Sequence, residues 1–150
     1  MCIESIKLAG QSGHAIAATI EGAGDGMPVI LAHGGGQTRR AWKKISTLLA
    51  GHGFRAIAID LRGHGDSDWA ADGDYLLDAF GRDVEVLLGQ FDRPVTLVGA
   101  SRGGQAALVG GSRHPERVRL IMLADVAPLM RDDGVDGIRA FFAEGMAGFA

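Results

Sequence analysis

The stretch Pro94-Val95-Thr96-Leu97-Val98-Gly99-Ala100-Ser101-Arg102-Gly103-Gly104 decides the fold. Its apolar and β-branched residues 95–98 predict a strand, and the small residues Ala106, Ala107 and Leu108 beyond it predict a helix. Between them lies a G-x-S-x-G pattern with Ser101 at its centre. A serine in so sharp a strand-to-helix turn has backbone crowding it from both sides, so Gly99 and Gly103 supply the clearance. There the hydroxyl projects from the carboxyl end of the strand, and the Arg102 N–H faces any oxyanion formed beside it. The competing possibility is a plain glycine-rich strand–helix turn, which a five-residue pattern with two glycines also fits.

The flanking segments decide between the two. Residues 2–8 and 14–20 read as strands joined by the turn Gly10-Gln11-Ser12-Gly13. So short a connection predicts an antiparallel hairpin, because a parallel pair needs a crossover of a dozen or more residues. Residues 28–32 form a short, continuously apolar strand of the kind buried on both faces. It ends in His33-Gly34-Gly35-Gly36, and neither G-x-G-x-x-G nor G-x-x-x-x-G-K-[ST] fits there, so a nucleotide cradle is not expected. Two readings remain for this loop: a turn needing positive φ, or a backbone corner whose N–H groups meet a developing negative charge.

A helix over residues 40–50 follows, with Trp42, Ile45, Leu48 and Leu49 on its expected inner face. A strand over 54–61 leads into the polar loop of residues 62–69, whose aspartates and serine predict local turn hydrogen bonds. A helix over 75–88 places Phe80, Val84, Leu87 and Leu88 inward and Arg82, Asp83 and Glu85 in solvent. The helix after Ser101 is rich in small residues, which suits close packing on a sheet. Pro115 ends it before a strand over 118–124. Strands alternating with helices predict an α/β fold: a mostly parallel sheet with helices on both faces and an N-terminal antiparallel hairpin. Ligands bind such sheets outside the carboxyl ends of the strands, where residues 33–36, residues 62–69, Ser101 and Asp125 all fall.

Composition bounds the rest. The chain has 150 residues, 47% of them apolar, and 24 glycines, more than twice the usual share of about 7%. The glycines punctuate periodic segments and so read as turn chemistry. A net charge of −3 argues against a nucleic-acid surface. Cys2, the one cysteine, excludes an internal disulfide, and no apolar run reaches the length of a membrane span. A cytoplasmic protein without membrane attachment is the expectation. His14, His33, His52, His64 and His114 lack metal-ligand spacing, and no metal is expected.

Four motifs occur in fixed order: H-G-G-G from residue 33, D-L-R-G-H-G-D-S from 60, V-G-A-S-R-G-G from 98, and H-P-E-R-V-R-L-I-M-L-A-D-V-A-P from 114. Together they resemble the α/β-hydrolase fold family, most closely the branch of epoxide hydrolases, cofactor-free haloperoxidases, lactonases and carbon–carbon bond hydrolases. The resemblance implies Ser101 as nucleophile, with the N–H groups of Gly35 and Arg102 as the oxyanion hole. Serine in place of aspartate departs from the epoxide hydrolase pattern and implies acyl chemistry on an ester, lactone or thioester. His33, Gly34, Gly36, Trp69 and Met130 would flank the site of a small-molecule substrate. Asp125 stands where some members keep the acid, although a structural role accepting loop N–H groups suits it better. No cofactor is implied, since such chemistry needs a nucleophile, a base and N–H donors.

The family's histidine base follows its last strand. Here the only histidine after Ser101 is His114, at the far end of a helix. The resemblance therefore implies that base and acid lie outside this sequence. On that expectation residues 1–130 are the N-terminal part of a hydrolase core lacking its C-terminal strands, and 131–150, with Phe141, Phe142 and Met146, begin a cap. The bare, uncharged edge of residues 120–124 agrees with this. A non-catalytic ligand-binding protein on the same scaffold is the other class that these residues allow.

Overall fold

The computed structural model describes residues 3–126. Its six strands are β1 (Ile3–Ala9), β2 (Ala15–Glu21), β3 (Met27–Ala32), β4 (Phe54–Ile59), β5 (Val95–Ala100) and β6 (Val118–Ala124). Three α-helices accompany them: α1 (Lys43–Gly51), α2 (Leu77–Leu88) and α3 (Arg102–Arg113). The sheet order is β1-β2-β4-β3-β5-β6. β1 and β2 form the antiparallel hairpin and β2 meets β4 antiparallel, whereas β3, β4, β5 and β6 run parallel. The α/β class and its hairpin are therefore as the sequence predicts. Met130 and the cap segment 131–150 lie outside the described residues.

Alternation along each parallel strand divides the core in two. Ile30 and Ala32 of β3, with Ile57 and Ile59 of β4, pack with Phe80, Val84 and Leu87 of α2 and Ala106 and Ala107 of α3. Val29 and Leu31, with Ala56 and Ala58, face Trp42 and Leu49 on the side of α1. Both faces of the sheet are covered here, which is why these strands carry unbroken apolar runs. The register does more: Ala32 pairs with both Ile59 and Gly99, and Ala100 pairs with Ala124. The residues that follow these pairs, His33, Asp60, Ser101 and Asp125, leave the sheet along one rim.

Two sequence expectations need correction. The inner face of α1 is Trp42, Ser46 and Leu49, while Ile45 and Leu48 are 41% and 58% exposed. At about 100° per residue, positions 42, 46 and 49 fall within one quadrant and 45 and 48 trail toward solvent. Ser46, 1% exposed, is the fully buried member of that face and is small enough for the helix to sit close to the sheet. Asp83 is not solvated but 4% exposed. Arg62 reaches it from the rim loop with a two-pronged contact, Nε to Oδ2 at 2.6 Å and Nη2 to Oδ1 at 2.8 Å. The Gln11 N–H also donates to Asp83, and Arg62 donates to the Gln11 side chain and the Asp74 carbonyl. One buried ion pair thus ties the rim loop to α2 and to the β1–β2 turn.

Removing one partner of such a pair strands a charge in the interior. Asp83→Ala is expected to lower stability by about 3–5 kcal/mol in chemical denaturation, and Arg62→Met with Asp83→Leu to recover most of the loss. A loss of only about 0.5 kcal/mol, the size of a surface substitution, would contradict the role assigned to the pair.

Candidate active site

Ser101 is the single residue between β5 and α3, and it adopts φ 45° and ψ −116°. Non-glycine residues held in such sparsely populated regions cost of order 1–3 kcal/mol, and surrounding contacts must over-determine them. Those contacts are backbone on backbone. A Cβ at Gly103 would lie 2.4 Å from the Ala32 carbonyl oxygen, and one at Gly99 would lie 2.4 Å from the Gly104 nitrogen. Either methyl would push α3 off the strands. The Gly103 N–H donates to the His33 carbonyl at 3.1 Å and the Ser101 N–H to that of Ala124 at 3.3 Å, pinning the turn on both sides.

The Arg102 N–H, lying between those two donors, meets no acceptor among the described residues. It is one of the unsatisfied donors at a helix N-terminus, where negative charge is favoured. Ser101 itself is exposed. Its neighbour across the rim is the glycine corner: a Cβ at Gly34 would lie 3.4 Å from the Ser101 Cβ. Residues 34–37 form a β-turn closed by the Gln37 N–H on the Gly34 carbonyl at 3.2 Å, with Gly36 at φ 71°, a value that favours glycine. The Gln37 side chain takes the Gly34 N–H through Oε1 at 3.1 Å. The N–H groups of Gly35 and Gly36, both exposed, meet no acceptor among the described residues, and Gly35 has open space around it. The Gln37 clamp was not anticipated; a glutamine closing a glycine turn is the only signal of it.

His33 is completely buried, with both ring nitrogens in use. Nε2 accepts the Leu61 N–H at 3.0 Å, so the proton resides on Nδ1, which donates to the Gly34 carbonyl at 2.7 Å. The expected substrate contact is corrected to a brace: the ring has no free polar atom. Burial holds its pKa below the ordinary value of 6.5, with the proximity of His64 adding to the effect. His64 packs its ring 5.0 Å from that of His33 and turns Nδ1 to the Arg62 carbonyl. His114 caps the far end of α3 beside Glu85 and Glu116, twelve helical residues or about 18 Å along the axis from Ser101. The Ser101 hydroxyl has no hydrogen-bond partner among the described residues.

The remaining expected site residues separate. Asp125 sits at the rim with φ 53°, exposed, and its carboxylate accepts no hydrogen bond from the described residues; the loop that follows it lies outside them. Trp69 is 77% exposed and lines a cleft of about 350 Å³ with Gln11, His14 and Arg62 over the β1–β2 turn. That cleft is about three strand spacings, roughly 14 Å, along the rim from β5. The aspartates of the rim loop act structurally, as their turn chemistry predicts. Ser67 bridges the Ala17 N–H and the Asp60 carbonyl, and Asp68 accepts the Ala15 N–H. Fully buried Asp60 accepts the Arg39 N–H at 2.6 Å and the Asp66 N–H at 2.9 Å, and pairs with the Arg39 guanidinium. Among the described residues no cluster of three or more His, Cys, Asp or Glu is arranged to hold a metal. None of their helices is long and apolar enough to cross a membrane.

The depressed His33 pKa has a definite sign in stability. The unfolded chain takes a proton near pH 6.5 where the folded protein does not, so the contribution is complete above that value. It is lost as pH falls from there toward the lower folded pKa. Thermal unfolding should therefore shift down between about pH 7.5 and about pH 5.5, and His33→Gln should flatten that shift. An unchanged slope in the variant would contradict the brace. At the turn, Gly103→Val should cost more than about 2 kcal/mol, because the β-branched group meets carbonyl oxygen and not a yielding side chain.

Comparison with known proteins agrees with this geometry. A family model described as the alpha/beta hydrolase fold matches residues 27–150. An esterase of Mycobacterium tuberculosis is 36% identical over 101 residues, covering 67% of this chain and 33% of the relative. A non-heme chloroperoxidase of Kitasatospora aureofaciens is 38% identical over 120 residues, covering 77% and 43%. Among solved structures, an alpha/beta hydrolase of Novosphingobium aromaticivorans superposes with a TM-score of 0.81 at 29% identity, covering 93% of this chain and 50% of that one. The chain thus spans between a third and a half of the length of these relatives. An elbow serine, a glycine corner beside it and a family match over residues 27–150 have one meaning: the chain belongs to the alpha/beta hydrolase fold family.

Proposed function

We propose that Ser101 is the nucleophile of a hydrolase that cleaves acyl bonds of small molecules, an ester, lactone or thioester, through an acyl-enzyme. The Ser101 oxygen attacks the carbonyl carbon and its proton passes to a base. The carbonyl oxygen becomes an oxyanion held by the Gly35 and Arg102 N–H groups, and the leaving group departs with a proton. Water then attacks the ester and releases the acid. The observation that carries this reading is the free Arg102 N–H beside an exposed serine hydroxyl, both held at the rim by the turn that keeps Ser101 at positive φ. The esterase relative, and a thioesterase domain of a curacin biosynthetic pathway superposing with a TM-score of 0.79, point to the same chemistry.

The base and acid belong, on this reading, to parts of the protein beyond the described residues, and 131–150 begin a cap over the rim. Gly34, Gly36 and Met130 border the substrate. A cytoplasmic enzyme fits the composition. The second reading, a ligand-binding protein on a hydrolase scaffold, is favoured by one observation: no described histidine bonds to the Ser101 hydroxyl.

A fluorophosphonate probe separates the two. The natural gene product should be labelled at Ser101, with labelling abolished in Ser101→Ala and at background for residues 1–150 alone. Absence of labelling in the natural product would favour the binding protein. Labelling of residues 1–150 would mean that the base lies within this chain.

A further inference from the structure

Arg102 follows the nucleophile, its Cα one peptide unit or about 3.8 Å away. Its side chain is partly buried, and its Cζ lies 5.6 Å from the centroid of the Phe80 ring. That ring, 4% exposed, also meets the Arg62 guanidinium at 5.9 Å, so two rim cations rest on one aromatic support. They differ in one respect. Arg62 holds Asp83, and the other arginines buried to a similar degree near this rim also hold carboxylates, Arg39 those of Asp60 and Asp66 and Arg82 those of Asp74 and Asp78. Arg102 has no carboxylate among the described residues.

Among the described residues the partly desolvated guanidinium has only the Phe80 ring to offset its lost hydration, and such an attraction offsets only part of it. A planar fork of donors fixed on a ring next to a nucleophile is suited to one class of ligand, a carboxylate gripped by two parallel hydrogen bonds. We propose that Arg102 is a specificity residue, and that the substrate is an acyl compound whose acyl part carries a carboxylate of its own. The inference rests on Ser101 being the nucleophile. Binding at Arg102 would set the scissile carbonyl between Ser101 and the Gly35 N–H.

The test compares two esters with the natural gene product: mono-p-nitrophenyl adipate, with a terminal carboxylate, and p-nitrophenyl hexanoate, which ends in a methyl. The wild type should prefer the adipate ester in kcat/KM, and added salt should erode the preference. Arg102→Met should lower the adipate-to-hexanoate ratio by about 10- to 100-fold, the loss expected for a hydrogen bond to a charged group. Arg102→Lys should restore part of it. Fluorophosphonate labelling of Ser101, followed in wild type and both variants, keeps the two ideas apart. Labelling with a ratio unchanged in Arg102→Met overturns the carboxylate proposal and leaves the nucleophile standing. No labelling of the wild type overturns both.

Discussion

The structure depends on the close approach of the first turn of α3 to the ends of β3 and β5. Gly103 lies against the carbonyls of Ala32 and His33, and Gly99 against the backbone of Gly103 and Gly104. With no Cβ at either position, helix and strands meet main chain to main chain, and the one residue joining β5 to α3 is driven to positive φ. The hydroxyl of Ser101 and the free N–H of Arg102 are consequences of that contact. The strain is stored at the rim and balanced by the two-sided apolar core below it, where β3 and β4 are sealed by helices on both faces.

A second layer of organisation is polar and buried. His33 links the strand-end backbone of Leu61 to the glycine corner, Asp60 gathers the Arg39 segment and residue 66, and the Arg62–Asp83 pair joins the rim loop to α2. None of these groups is hydrogen-bonded to the Ser101 hydroxyl. They fix the loops from which the N–H groups of Gly35 and Arg102 project, the two donors that the proposed mechanism would use. Preorganised donors of that kind need no rearrangement as negative charge develops.

Most of the fold was legible in the sequence because its signals were local: unbroken apolar runs for doubly covered strands, glycine where chain meets chain, and a hairpin turn too short for a crossover. The strand-to-helix turn at Ser101 was legible because the glycines on either side of it mark where chain meets chain, whereas the pairing of Gly35 with Arg102 came from the resemblance and stays part of the proposal. What escaped was long-range. Asp83 read as solvent-facing because its partner, Arg62, lies 21 residues earlier on another element. His33 read as a ligand contact because periodicity does not reveal that Leu61 closes over its ring. Ile45 and Leu48 read as inward because apolar character was counted without the close seat that small, buried Ser46 offers against the sheet.

The most direct test is a crystal structure of the natural gene product with a boronic acid bound covalently to Ser101. Ser101 should keep its positive φ, and one boronate oxygen should lie about 2.7–3.1 Å from the backbone nitrogens of both Gly35 and Arg102. A boronate oxygen touching neither nitrogen, or a serine relaxed to an ordinary backbone conformation, would contradict the account.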